Sequence, residues 1–120
     1  MTPEQQRILI AEACGYIAKQ WENNGSWYLC EAGDRRCHHP LDSTGSRESA
    51  FTQHCPDYLN DLNAIREAAE ITLTTNKQWE LYARHIQGHR IHEFTHELVK
   101  TFLRATAAQL SEALLRTLNL

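Results

Sequence analysis

Three stretches of this chain are spelled alike: Thr2-Pro3-Glu4-Gln5, Thr75-Asn76-Lys77-Gln78 and Thr106-Ala107-Ala108-Gln109. Each sets a threonine three residues before a glutamine. The hydroxyl can accept from the glutamine amide while the glutamine side chain reaches back to the threonine N–H, which closes the start of a helix. Pro3 strengthens the first, because its missing N–H costs nothing there. Three helix starts are thereby written into local chemistry, before any tertiary contact is considered.

Helical residues follow each start. Ile8, Leu9, Ala11 and Ala13 come after Thr2, and Gly15 supplies a left-handed stop. Trp79, Ala83 and Ile86 recur at helical spacing after Thr75, as do Ala107, Leu110, Leu114 and Leu118 after Thr106. A fourth helix is predicted to open at Pro56-Asp57, with Tyr58, Leu62, Ile65 and Ala69 on one face. Tyr16–Trp21 and Ser26–Glu31 are aromatic-rich runs around Asn23-Asn24-Gly25, which predicts a β-hairpin. Residues 32–55 carry few apolar side chains and no period, and read as a long polar loop with a short strand near Phe51. Over residues 90–105 two patterns overlap. Ile91, Phe94, Leu98, Phe102 and Ala105 are spaced for a helix, whereas Val99, Thr101 and Leu103 alternate like a strand.

Composition narrows the class. A chain of 120 residues, 42% hydrophobic, supports one domain over 1–120 with a modest core. Twelve basic against fifteen acidic side chains, a net charge of −3, argue against an obligate nucleic-acid binder. No apolar run approaches the ~18 residues of a membrane span, and the opening residues lack the charged and apolar regions of a signal peptide. With no export signal, Cys14, Cys30, Cys37 and Cys55 are expected as reduced thiols or metal ligands.

The order of several blocks resembles the phage ABA-sandwich domain, a family of small phage and prophage proteins. The matching text is Thr2–Arg7 and Ala11–Gly15, then Pro56–Ala64 and Gln78–Ala83, then Ala105–Gln109 and Glu112–Leu118. The resemblance implies an α+β layered domain, a small antiparallel sheet against about four helices. It also implies a strand over about 99–104 and a setting in the host bacterial cytoplasm. The family is largely uncharacterised, so the resemblance implies no reaction. Residues 32–55 and 88–98 depart from the shared pattern.

Three constellations could carry chemistry. His92-Glu93-Phe94-Thr95-His96 fits H-E-x-x-H, which on a helix puts two imidazoles on one face with a glutamate between them to activate a zinc-bound water. Glu112, Glu97, His85 and His89 are candidates for a third ligand. The competing reading, preferred here, is an incidental histidine cluster on a solvated face, with no catalytic residue and no cofactor. Cys30, Cys37, His38, His39, His54 and Cys55 form a second set of zinc-type ligands, without any C-x-x-C knuckle. The third is a polar, locally basic segment, Arg35, Arg36, Ser43, Thr44, Gly45, Ser46 and Arg47, whose guanidinium forks and hydroxyls suit phosphate recognition. Trp21, Trp27 and Tyr28 on the hairpin could stack on a base or fill the core.

The reading that emerges is a non-enzymatic phage accessory protein that binds a host defence protein or a nucleotide-like signal. Arg35, Arg36, Ser46, Arg47, Trp27 and Tyr28 are its candidate ligand-binding residues. The alternative is a zinc-dependent hydrolase with His92, His96 and Glu112 on the metal and Glu93 as base. A small sheet with exposed edges and a short core also leads us to expect pairing of two copies.

Overall fold

The structure is a computed structural model, and it describes residues 1–22, 25–31, 45–87 and 105–120. These residues build five helices and a two-stranded antiparallel sheet, an α+β fold, divided into two compact units, Met1–Pro56 and Asp57–Leu120. No helix among the described residues is long and apolar enough to cross a membrane.

In the first unit, α1 (Pro3–Ala13) begins as its spelling predicts. Thr2 Oγ1 accepts from the Gln5 amide at 3.1 Å and Gln5 Oε1 accepts from the Thr2 amide at 2.9 Å. At the other end Gly15 takes φ 99°, and the amides of Gly15 and Tyr16 donate to the carbonyls of Glu12 and Ala11, each at 3.0 Å. Those are the two hydrogen bonds of a Schellman turn, and the positive φ is why glycine stands there.

The chain then forms β1 (Ile17–Gln20) and β2 (Trp27–Cys30), paired Ile17↔Cys30 through Gln20↔Trp27. The hairpin closes through the Trp21 amide on the Ser26 carbonyl at 2.8 Å. Gly25, at φ 71°, completes the turn, and its carbonyl accepts from Gln20 Nε2 at 2.8 Å.

Helix α2 (Arg47–His54) corrects the reading of residues 32–55 as a loop with a strand near Phe51. Ser46 caps it by accepting from the Ser49 amide at 3.1 Å. Only Ala50 and Phe51 are buried apolar residues of this helix, too few to show a period in the sequence. Phe51 nevertheless sits fully inside the core with Ile10, Ala11, Leu29 and Cys30, because α2 packs on α1 and on both strands. Arg7 locks this arrangement. Its Nη2 donates to the carbonyls of Thr52 at 3.2 Å and Cys55 at 3.1 Å, the end of α2 where carbonyls lack helical partners.

One cysteine differs from expectation. Cys30 is disulfide-bonded, while Cys14 and Cys55 are buried free thiols. A disulfide sulfur is no thiolate ligand, which removes Cys30 from the zinc-type set.

In the second unit, α3 spans Leu62–Thr72 and starts later than Pro56-Asp57 suggests. Asp57 makes a turn instead: its carbonyl accepts from the Asn60 and Asp61 amides, and its carboxylate accepts from Asn60 Nδ2 at 3.0 Å. Asp61 then caps α3 by accepting from the Asn63 and Ala64 amides. Ile65, Ala68 and Ala69 are buried, but Leu62, expected on the same face, is 39% exposed. Tyr58 is buried from the turn, and its carbonyl accepts from the buried Ser111 hydroxyl at 2.9 Å.

Helices α4 (Asn76–Gln87) and α5 (Ala107–Thr117) open with the other two reciprocal caps. The Thr75–Gln78 bonds are both 3.2 Å; the Thr106–Gln109 bonds are 2.9 and 3.2 Å. Trp79 Nε1 donates to the Leu73 carbonyl at the end of α3, at 3.1 Å, and meets Tyr82 edge-on with ring centroids 5.8 Å apart. The core holds Tyr82 and Ala83 from α4 with Ala107, Leu110, Ala113, Leu114 and Leu115 from α5. The proposed strand at 99–104, and all of residues 90–104, lie outside the described residues.

Candidate functional site

Helix α1 carries more apolar surface than its core face can bury. Ile8, Leu9, Ile10 and Ala11 are consecutive, and consecutive helical residues point about 100° apart. Ile10 and Ala11 are fully buried, while Leu9, turned off that face, is only half-buried. Beside Leu9 runs an open groove of about 460 Å³, lined by Met1, Gln5, Ile8 and Leu9 from the α1 end and by Arg47 and Glu48 from the first turn of α2. Its size falls in the range of small-molecule or side-chain sites, about 300–1,000 Å³. Met1 is 66% exposed at one end. Gln5 is held still by its reciprocal bonds with Thr2.

The polar wall has a definite charge arrangement. Arg47 Nη2 lies 3.1 Å from Glu12 Oε1, and its guanidinium carbon sits 5.0 Å from the centroid of the Phe51 ring one turn on. The cation is therefore matched by a carboxylate and laid on an aromatic face, together worth about 1–2 kcal/mol at a half-exposed site. Glu48 is exposed and makes no ion pair or hydrogen bond among the described residues.

Of the predicted ligand-binding residues, Ser46 and Arg47 stand together at the start of α2. Ser46 spends its oxygen there on the Ser49 amide and its proton on Ser49 Oγ at 2.8 Å. Trp27 and Tyr28 are half-buried in β2, outside the groove lining; Tyr28 packs on Trp21 with centroids 5.0 Å apart. Arg35 and Arg36 lie outside the described residues, as do His92, Glu93 and His96 of the zinc alternative and the candidate ligands His89 and Glu97. Glu112, its proposed third ligand, is exposed on α5 and paired to Arg116 at 2.7 Å. Among the described residues, no group of three or more His, Cys, Asp or Glu could hold a metal ion.

Sequence reasoning missed the groove's apolar floor and Glu12. The floor had a signal, the four-residue apolar run that no single helical face can use. Glu12 had none, since its pairing with Arg47 arises only from the packing of α2 on α1. No protein-family model, curated protein or solved structure matches the chain. The likeness to the phage domain therefore stands on the sequence blocks alone.

Proposed function

We propose that this chain is a non-enzymatic phage or prophage accessory protein that acts by binding, sequestering a host defence protein through the groove between α1 and α2. The observation that carries this reading is the groove, with its apolar floor of Met1, Ile8 and Leu9 beside a charged lip. Apolar surface left over on a helix and rimmed by polar groups is how a protein contact site is built. A protein partner is favoured over a nucleotide-like signal because, among the described residues, the polar groups predicted to suit phosphate are engaged within the chain. Arg47 serves Glu12 and Phe51, and Ser46 serves its own helix. The proposed setting is the host bacterial cytoplasm.

Leu9→Ser tests the reading, since Leu9 is half-exposed and its replacement leaves the buried core in place. Immobilised wild-type protein is expected to retain a host protein from bacterial lysate that the folded Leu9→Ser variant loses, with parallel loss of phage protection in a plaque assay. Equal retention and protection by both proteins would overturn it.

A further inference from the structure

Resting on that reading of the groove, the geometry points to a partner of particular chemistry. It is an amphipathic peptide segment, apolar on one side and basic on its flank. An apolar side chain lies against Met1, Ile8 and Leu9, and a lysine or arginine stands opposite Glu48.

The apolar part follows from α1. Its core face is already used by Ile10 and Ala11, so Leu9 and the exposed Met1 present surface that the first unit's described core does not take up. The groove is open to solvent and not enclosed, which suits a side chain presented by a docking segment better than a small molecule that must be surrounded.

The basic part follows from charge bookkeeping at the lip. Arg47 and Glu12 neutralise each other across 3.1 Å, so of the two charged side chains in the lining Glu48 is the one with no ion pair among the described residues. An acidic partner would meet a carboxylate beside an already matched guanidinium and would have to break the Arg47–Glu12 pair to gain anything. A basic partner gains a complementary charge with nothing to displace. Apolar contact supplies affinity in this mode, and the charge at the edge selects the partner.

Two synthetic peptides of equal length test this on the full-length ¹⁵N-labelled protein, one amphipathic in Leu and Lys, the other in Leu and Glu. The Leu/Lys peptide is expected to shift the amides of Leu9 and Glu48, and the Leu/Glu peptide to leave them in place. Glu48→Gln should weaken the Leu/Lys peptide by about two- to five-fold, within the reach of an exposed ion pair. Glu70→Gln, at an exposed position of α3, should leave its affinity unchanged. Equal binding of both peptides at Leu9, or equal weakening by Glu48→Gln and Glu70→Gln, overturns the basic partner while the groove remains a binding site. Absence of any shift at Leu9 with either peptide overturns the groove reading as well. A dimer that Leu9→Ser dissociates assigns the groove to a second copy of the chain and overturns the peptide.

Discussion

The two compact units reach a packed core by different routes. In Asp57–Leu120, the helices gather most of their apolar residues onto one face each, and those faces make the core, with Leu62 and Ile71 of α3 left exposed. In Met1–Pro56, neither helix does so: α1 is apolar over four consecutive positions and α2 offers little beyond Ala50 and Phe51. Local periodicity defines the inside of the second unit. In the first, the inside is defined by what packs on what, and the price is apolar surface that finds no place within it. The candidate site lies in the unit whose helices are least amphipathic, where apolar surface from α1 lines a groove beside α2.

The sharpest way to break this contrast is at Phe51. If α2 is held by one buried ring and not by a periodic face, Phe51→Ala should cost about 3–5 kcal/mol in urea unfolding, through lost transfer energy and the cavity left behind. A cost below about 1 kcal/mol would mean that α2 is held by something else, and the contrast between the units would fail.

Arginine gives a second test. Arg7 donates to two carbonyls at the end of α2, and its removal leaves both without that donor in a partly buried setting. Arg7→Met keeps the aliphatic stem and should lose about 2–3 kcal/mol. Arg116 on α5 has only an exposed pair with Glu112, and Arg116→Ala should cost about 0.5 kcal/mol or less. Chemical denaturation of both variants reads the difference directly. Equal losses would show that the first unit is not stitched by its polar contact.

The same division explains what could be read in advance. The three reciprocal caps were legible because each is complete within four residues, and the positive-φ glycines Gly15 and Gly25 are equally local. The start of α3 was misread because Pro56-Asp57 imitates a cap. Asp57 and Asp61 compete for that role, and only the bonds to Asn63 and Ala64 decide for Asp61. Helix α2 was illegible because its orientation depends on Arg7, α1 and the hairpin, contacts that span long stretches of chain. Of the candidate site, Arg47 was legible as a charge and Leu9 as a residue of the first helix. Their convergence was not, since it exists only once α2 lies on α1.

The smallest effect expected near neutral pH comes from the second unit, at Tyr82. Burial against α5 raises its phenol from the ordinary 10.0 to about 12, partly offset by the positive charge of Arg66. The folded state thus holds the proton to higher pH than the unfolded state does. Below pH 10 both states are protonated and this contribution is fully present; between pH 10 and about 12 only the unfolded chain gives up its proton, so stability falls as pH rises. Melting temperature followed over that interval should decline more steeply for wild type than for Tyr82→Phe, which has no proton to lose there. Absorbance of tyrosinate should show one fewer late-titrating phenol in the variant than in wild type. Identical slopes would place Tyr82 in contact with solvent and would remove the buried ring from the α4–α5 core, leaving the second unit as dependent on a few particular contacts as the first.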